Sequence, residues 1–308
     1  MYKKLLVLLD GSKLAEIVFP YAKELAGRLD MDVILLHVYH PAASEFAPMY
    51  KAYVDRAAET LKIQAHQVQD SLGQKEIKHV VVRGELCTGY HAEEILKFAE
   101  ENAIDLMLMA SHGRSGVKRW RMGGVADKIL RASKIPVLMV HADAEKLIPY
   151  DQWPSRSLLV PLSGSEVSSV VLPHVEALAK QKGAEVSVIL MEVVEPPVTP
   201  SYYSPELTGV PLNWGQFVEQ EMARNKKAAQ EYLAGVEKRF KEAGIQVCSI
   251  VHTGKPAEEV IAYAKKNPFS VIIMSTHGRT GLSRLVYGSV AESVLFGVSN
   301  PMVLVRPQ

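Results

Sequence analysis

The sequence predicts an α/β protein made of two tandem, doubly wound domains. One pattern occurs twice: residues 109–116 read Met-Ala-Ser-His-Gly-Arg-Ser-Gly, and residues 274–281 read Met-Ser-Thr-His-Gly-Arg-Thr-Gly. The two histidines lie 165 residues apart, and so do Pro136 and Pro301, which precede the last apolar run of each half. A repeat of about 150 residues is far longer than the roughly 20–50 residues of a solenoid unit. The repeat therefore indicates a duplicated domain.

Uninterrupted apolar runs predict the strands of the first half. Residues 5–9 are all apolar and end at Asp10-Gly11-Ser12, which suits a strand buried on both faces of a parallel sheet. Ser12 is placed to cap the next helix, which we expect to continue to about residue 28. The further strands are expected at 33–38, 77–82, 105–110 and 136–141, and the further helices at 48–70, 91–100 and 125–131.

The same order of elements recurs after a linker at 143–156, so we predict domains at 1–142 and 156–308. The strands of the second half are expected at 158–161, 186–193, 246–252, 271–275 and 302–306. Its helices are expected to end near residue 182, to span 217–243, to begin at 257 and to span 290–296. Strands that alternate with helices imply right-handed crossovers and open parallel sheets.

The two halves differ in one long interval. We match Gly84 with Gly254 as the glycines that follow the third strand, which gives the second half 17 extra residues before this glycine. This longer interval of the second half contains a segment rich in proline and aromatic residues at 195–216. This segment is either a plain irregular loop or a lid or partner surface.

Composition excludes several classes of function. The formal net charge is +1, which gives no electrostatic argument for nucleic acid or an anionic membrane as partner. Cys87 and Cys248 are isolated, so we expect no metal site. No apolar stretch approaches the ~20 residues of a membrane span, and the first run is shorter than the ~7–15 residues of a signal-peptide core. We therefore expect a cytoplasmic protein.

The repeated loop of the second half has the chemistry of an anion site. A strand ends at Ser275, a loop with Gly278 follows, and Gly288-Ser289 open the next helix. Small residues let backbone N–H groups approach an anion, and a hydroxyl at a helix N-terminus favours phosphate. The loop is neither a P-loop nor a Rossmann fingerprint, because Gly-x4-Gly-Lys-Ser/Thr is absent and no Gly-x-Gly-x-x-Gly follows the first strand.

With these motifs in order, the chain resembles the universal stress protein family in its tandem two-domain form. The hallmark of that family is Gly-x2-Gly-x9-Gly-(Ser/Thr), and the resemblance spans essentially the whole chain. The residues that support it are Asp10-Gly11-Ser12, His37-Val38, Gly84, Gly254, the two His-Gly-Arg loops and the apolar strands after Pro136 and Pro301. The resemblance rests on the whole set of these elements, which occurs twice in the same order.

The resemblance implies binding of ATP or another adenine nucleotide, with or without magnesium. In ATP-binding members, the aspartate after the first strand and the valine backbone that closes the second contact adenosine, and the glycine loop contacts phosphates. Carried over residue by residue, the binding candidates are Asp10, Val38, Gly84, Ala110, Gly113, Gly123 and Gly124 in the first half, and Ser163, Val193, Gly254, Ser275, Gly278, Gly288 and Ser289 in the second. Arg279 either pairs with phosphate or is a solvated side chain that stabilises the loop.

Neither half matches the family pattern fully. In the first half, Ala110 replaces the first loop glycine and Gly124 replaces the hydroxyl residue. In the second half, Ser163 replaces the aspartate and Ser275 the first loop glycine. A lost hydroxyl contact costs about 0.5–1.5 kcal/mol, and serine in place of aspartate removes a charge-assisted acceptor. The first half thus has the better adenosine end and the second half the better phosphate end.

The leading hypothesis is a stress-response protein that binds adenine nucleotide as a sensor or switch, with at most slow ATP hydrolysis or autophosphorylation. The alternative is a nucleotide-free interaction scaffold with degenerate sites, which meets a protein partner through 195–216. An enzyme that cleaves ATP at the α-phosphate is disfavoured, because Ser163-Gly164-Ser165 lacks the second glycine and the following aspartate of the pyrophosphatase loop in ATP-dependent ligases of similar topology. We assign no catalytic residues.

The resemblance also implies how the two domains meet. Each is expected to be a five-stranded parallel sheet in the order 3-2-1-4-5, and in this family the last strands pair across a two-fold axis. Residues 137–140 and 302–305 are the candidates, so the two halves are expected to form an intramolecular pseudo-dimer. An unpaired apolar edge would otherwise be an aggregation hazard. The chain is then a monomer or associates into a homodimer.

Overall fold

Strands and helices alternate along the first half of the chain. The computed structural model describes residues 2–73, 79–111, 122–141, 148–197, 214–276 and 287–307. The strands of the first half are β1 (Lys4–Leu9), β2 (Asp32–Tyr39), β3 (Val82–Thr88), β4 (Leu106–Ala110) and β5 (Val137–Val140). Its helices are α1 (Lys13–Glu16), α2 (Phe19–Leu29), α3 (Ala47–Ser71), α4 (His91–Glu101) and α5 (Gly124–Ala132), with a 3-10 helix at Pro41–Phe46.

The second half repeats this order after a 3-10 helix at Tyr150–Gln152. Its strands are β6 (Arg156–Leu162), β7 (Val186–Val194), β8 (Gln246–Thr253), β9 (Ser270–Ser275) and β10 (Met302–Val305). Its helices are α6 (Glu166–Ser169), α7 (Leu172–Ala179), α8 (Trp214–Glu242), α9 (Pro256–Lys266) and α10 (Ser289–Gly297). None of the described helices combines the length and apolarity needed to cross a membrane.

The ten described strands form one sheet in the order β3-β2-β1-β4-β5-β10-β9-β6-β7-β8. Neighbouring strands within each half are parallel. Between the halves, β5 and β10 pair antiparallel, with Met139 opposite Met302 and Val137 opposite Leu304. The predicted order 3-2-1-4-5 is confirmed in both halves, and so is the predicted pairing of the last strands.

Each face of this sheet carries an apolar core that includes residues of both halves. In β1, Leu5, Val7 and Leu9 belong to one core, and Leu6 and Leu8 belong to the other. Side chains alternate between the two faces of a strand, so a central strand that is buried on both faces is apolar throughout. This explains the uninterrupted apolar run from which β1 was predicted.

The helical segment after each first strand is divided, whereas the sequence predicted one continuous helix. The Ser12 hydroxyl oxygen accepts a hydrogen bond from the Ala15 amide at 3.2 Å, which confirms the predicted cap. The segment then breaks between α1 and α2, and Pro20 lies in the first turn of α2. Proline is tolerated there because that turn has no intrahelical partner for its N–H, but it disrupts a helix interior. Ser165 and Pro173 repeat this arrangement at α6 and α7.

The third strand of the first half lies further along the chain than predicted. It spans Val82–Thr88, whereas the sequence predicted a strand at 77–82, of which 77 and 78 lie outside the described residues. β3 is the outer strand of this half and pairs with β2, so most of its residues are half-buried rather than buried. The apolar run before it was a misleading signal, because an outer strand does not require uninterrupted apolarity.

This shift changes which glycines correspond. Gly89 follows β3 with φ +147°, and Gly254 follows β8 with φ +149°. The match of Gly84 with Gly254 is therefore wrong, because Gly84 lies inside β3 and pairs with Leu35. The interval from Asp10 to Gly89 is 79 residues against 91 in the second half, so the second half has 12 extra residues rather than 17.

A buried cluster of charged and polar side chains joins the two halves. Glu24 of α2 accepts hydrogen bonds from Arg28 and Arg156, both at 2.6 Å. Arg156 of β6 is only 9% exposed, donates to Gln181 at 3.2 Å and lies 4.7 Å from the centre of the Tyr150 ring. Burial of a charge is tolerated only when it is paired and hydrogen-bonded. The cluster thus fixes how α2 meets the second half.

Candidate functional site

A cavity of about 420 Å³ lies at the carboxyl ends of β1, β2 and β4, beside the N-terminus of α5. It brings together the predicted residues Asp10, Val38, Ala110, Gly123 and Gly124. The rest of its wall is mostly apolar and aromatic and includes His37, Tyr39, His40, Tyr50, His91 and Ile95. In open α/β sheets, ligands bind at this edge where the strand order reverses, which here is between β1 and β4. The volume lies within the roughly 300–1,000 Å³ of small-molecule sites.

Asp10 is oriented by its own loop at one end of this cavity. One of its carboxylate oxygens, Oδ1, accepts hydrogen bonds from the Ser12 amide at 3.0 Å and the Ser12 hydroxyl at 2.6 Å. Gly11 between them has φ +80°, a conformation that glycine adopts without steric cost. These contacts fix the direction of a half-buried carboxylate, which is an acceptor for hydroxyl or amino groups.

Aromatic side chains form the wall next to Val38. The buried His37 donates a hydrogen bond from Nδ1 to the Leu9 carbonyl oxygen at 3.0 Å. Its ring centre lies 4.6 Å from that of Tyr50, a residue of α3, and the Tyr50 ring lies 5.7 Å from that of Tyr39. Such a wall suits a flat, unsaturated ring, because aromatic rings attract one another in stacked and edge-on arrangements.

Another part of the cavity wall is the N-terminus of α5. Gly123 is the N-cap residue, and its amide donates to the Ser111 carbonyl oxygen at 3.1 Å. The first turn of a helix leaves backbone N–H groups without an intrahelical acceptor, and the helix dipole adds partial positive charge. Among the residues that the structure describes, no atom lies within 4 Å of a Cβ added at Gly124. This end therefore suits an anion.

The second half forms the same helix start with a hydroxyl added. Gly288 is the N-cap of α10, and its amide donates to the Thr276 carbonyl oxygen at 2.8 Å. Ser289 is the first residue of α10, at the position that Gly124 occupies in α5. The two N-cap residues have similar backbone angles, with φ −59° at Gly123 and φ −62° at Gly288, and the Ser289 hydroxyl distinguishes the two helix starts. That the second half has the better phosphate end stays a prediction.

At its other end, the second half differs chemically from the first. Ser163 takes the place of Asp10, and its hydroxyl oxygen lies 2.9 Å from that of Ser165. Glu192 of β7 is buried at the strand position that His37 has in β2. The remaining predicted residues of this half are Val193, one residue before the end of β7, and Ser275, the last residue of β9. This half therefore carries its carboxylate on the second strand instead of after the first.

Of the other predicted residues, the structure describes Gly84 and Gly254. Outside the described residues are Gly113, Gly278 and Arg279. Gly84 lies against α3, where a Cβ would be 2.7 Å from the Val54 carbonyl oxygen, so glycine allows the strand and helix backbones to approach closely. Gly254 lies in the turn after β8, where a Cβ would be 2.8 Å from a carboxylate oxygen of Glu259.

Sequence reasoning missed the aromatic wall. His37 was noticed only as the neighbour of Val38, and Tyr50 only as part of a long helix. The signal that could have found them is an aromatic cluster around the end of the second strand: His37, Tyr39, His40, Phe46 and Tyr50. Spacing alone could not show that the start of α3 lies over this strand end.

A duplicated, doubly wound α/β domain with a cavity at its switch point and a helix N-terminus beside it has the architecture in which open α/β sheets bind their ligands. The model of the universal stress protein family matches residues 1–141 and 154–306. The chain therefore belongs to the universal stress protein family, with one family domain in each half.

Relatives match both single domains and the tandem form. A universal stress protein of Mycolicibacterium smegmatis is 23% identical over 316 residues, which cover 99% of this chain and 97% of that protein. Universal stress protein MJ0531 of Methanocaldococcus jannaschii is 32% identical over 151 residues, which cover 49% of this chain and 82% of that protein.

Solved structures show the same fold over the whole chain. A universal stress protein from Archaeoglobus fulgidus has a TM-score of 0.61 at 19% identity, and the match covers 98% of each chain. The protein PA1789 from Pseudomonas aeruginosa, whose function is unknown, has a TM-score of 0.67 at 15% identity, with 99% of this chain and 93% of that chain covered.

Proposed function

We propose that this protein binds an adenine nucleotide in the cavity of its first half and acts as a sensor or switch in the response to stress. The observation that carries the proposal is the cavity itself, which places the Asp10 carboxylate and the N-terminus of α5 around one space. In the ATP-binding family members that the sequence resembles, the corresponding aspartate and valine contact adenosine. The stress role rests on family membership.

The adenosine end is the part between Asp10 and the aromatic wall. The Asp10 carboxylate accepts hydrogen bonds from ligand hydroxyl or amino groups, and its two bonds to Ser12 hold it in place. The backbone of Val38 supplies the edge contact, and the rings of His37 and Tyr50 supply flat apolar area for the base.

The phosphate end is the start of α5 in the first half and the start of α10 in the second. Amide groups and the helix dipole favour a phosphate at both places. Ser289 adds a hydroxyl donor in the second half, and Gly124 leaves that donor out of the first. We propose a second, chemically different nucleotide site there, formed by Ser163, Val193, Ser275, Gly288 and Ser289.

We propose binding rather than rapid turnover, because none of the described residues assigned to the site is placed as a base against an attacking water. Slow ATP hydrolysis, autophosphorylation and a bound magnesium ion stay predictions, which phosphate release with and without magnesium tests. The cytoplasmic location and the choice between monomer and homodimer also stay predictions.

Calorimetric titration with ATP, AMP and adenosine tests the proposal. The variant Asp10→Asn removes the charge without changing the shape of the side chain, and we expect it to weaken binding of all three ligands about ten-fold or more. Asp55→Asn is the matched control, because Asp55 is an exposed carboxylate on α3 that pairs with Lys51 outside the cavity. The scaffold hypothesis gains support instead if the unmodified protein takes up none of the ligands.

A further inference from the structure

Helix α5 of the first half contacts Tyr287 of the second half through a cation–π interaction and a hydrogen bond. The guanidinium carbon of Arg131 lies 4.8 Å from the centre of the Tyr287 ring. The Tyr287 hydroxyl donates to the Asp127 carbonyl oxygen at 3.4 Å, one helical turn before Arg131. A cation over an aromatic face is attracted to it, and the attraction grows as water is excluded. Tyr287 is only 6% exposed, so little water reaches its ring.

Arg131 is itself held in a fixed direction. Its Nε atom donates to both carboxylate oxygens of Asp127 at 2.9 Å. The Arg131 carbonyl oxygen accepts a hydrogen bond from Arg306, which follows β10 in the second half, at 2.6 Å. The guanidinium that faces Tyr287 is thus held by Asp127 of its own helix, and the end of α5 is joined to the second half through the Arg131 carbonyl oxygen.

Tyr287 directly precedes the candidate phosphate end of the second half. Gly288 caps α10, Ser289 begins it, and the Gly288 amide is already engaged with Thr276. Arg131 and Asp127 hold the Tyr287 side chain in place, and the peptide bond between Tyr287 and Gly288 is planar. The direction in which the chain enters α10 is therefore restricted. That direction decides where the hydroxyl and the first amides of α10 point.

The duplication does not repeat this contact with the two halves exchanged. The residue that corresponds to Tyr287 in the first half, 165 positions earlier, is Met122, which has neither a hydroxyl group nor an aromatic ring. The residue that corresponds to Arg131 in the second half is Phe296, which carries no charge. The two halves therefore differ in how their phosphate ends are supported.

We propose that Arg131 of the first half is a positioning residue for the phosphate end of the second half, and that it acts through Tyr287. The site of the second half is then completed by a residue from the other domain. The inference rests on the proposed function, because it concerns the second nucleotide site described above. Arg131 itself contacts no ligand in this account; it sets the geometry of Gly288 and Ser289.

The test uses the full chain with Ala110→Leu as background, because a larger side chain at this cavity-lining residue fills the first site. In that background, Arg131→Met should weaken ATP binding about three- to ten-fold and leave adenosine binding unchanged, since only phosphates reach α10. Arg131→Lys keeps a cation and should retain most of the affinity. Lys134→Met is the control, because Lys134 is an exposed cation near the end of α5 that pairs with Glu100.

A second measurement needs no nucleotide. Hydrogen exchange of the Gly288 amide, which donates to Thr276, should be about three- to ten-fold faster in Arg131→Met than in the parent or in Lys134→Met. Unchanged exchange would overturn the inference, and so would an equal loss of ATP and adenosine affinity. If the background protein binds neither ligand, the second nucleotide site fails, and the exchange measurement still decides whether Arg131 positions Gly288.

Discussion

Gly89 and Gly254 occupy the same place in the two halves of the chain. Each follows the third strand of its half, with φ +147° and +149°. The Gly89 amide donates to the Tyr39 carbonyl oxygen at 3.0 Å, and the Gly254 amide donates to that of Val194 at 3.1 Å. Each glycine thus joins the turn before the next helix to the end of the second strand by a backbone hydrogen bond. This strand end belongs to the sheet edge where the candidate sites lie.

Replacing either glycine by alanine is expected to destabilise the protein by about 1–3 kcal/mol, since this backbone conformation is almost restricted to glycine. A Cβ at Gly89 would also lie 2.5 Å from a side-chain carbon of Glu94. Urea unfolding measures the loss. Gly235→Ala is the control: this glycine lies inside α8 with nothing within 4 Å of an added Cβ, so alanine should stabilise by about 0.5–1 kcal/mol.

We expect a single substitution in the buried charged cluster around Glu24 to lower the stability of the protein strongly. Glu24→Gln leaves the cations of Arg28 and Arg156 without their shared carboxylate, and breaking a buried pair in this way costs about 3–5 kcal/mol. Chemical denaturation of the variant measures it. Glu100→Gln removes an exposed carboxylate, which pairs with Lys134, and should change stability little. Equal effects of the two variants would contradict this account of the junction.

His174 makes stability depend on pH. Burial lowers the pKa of His174 below its ordinary value, and the ring shares a hydrogen bond of 2.8 Å with the Tyr2 hydroxyl. Between the unfolded pKa of about 6.5 and the lower folded pKa, the unfolded chain binds a proton that the folded chain does not, so stability falls as pH falls. Denaturation at about pH 7.5 and about pH 5.5 should show a smaller difference for His174→Gln than for the parent.

We expect a hydroxyl group added at the start of α5 to strengthen ATP binding. Gly124→Ser adds the hydroxyl that α10 has in Ser289, and a Cβ added at this position meets no atom of the described residues within 4 Å. Binding of ATP to the first half should strengthen about two- to ten-fold, while adenosine binding should not change. Gly124→Ala separates the effect of the hydroxyl from that of the Cβ. An alanine variant that binds ATP as tightly as the serine variant would show that the hydroxyl makes no contact.

The sequence predicted the architecture because the central strands are buried on both faces. β4 is apolar throughout and β1 is apolar from residue 5 to residue 9, while their counterparts β6 and β9 carry the shorter apolar runs 158–160 and 271–274. The order of the strands in the sheet followed from the family resemblance. Sequence reasoning misplaced β3 because an outer strand such as Val82–Thr88 carries polar residues among apolar ones. It also missed the break after α1, although Pro20 is the residue that marks it.

The candidate site was predicted in part for a related reason. Asp10, Gly123 and Gly124 lie directly at strand or helix ends, and their places follow from the order of elements. Tyr50 and Glu192 depend on how a helix lies over the sheet and on which strand residue meets the loop, and neither follows from spacing. Gly84 shows the converse, because a glycine that appeared to belong to a site serves the packing of β3 on α3.

The most direct test of the central claim is the nucleotide content of the protein purified without added ligand. The protein is denatured, and the released compounds are separated by anion exchange with detection by absorbance. We expect adenine nucleotide at about one equivalent, or about two if both halves are occupied, and less in Asp10→Asn than in Asp55→Asn. Absence of nucleotide, together with no heat of binding for added ATP, would contradict it and favour the scaffold.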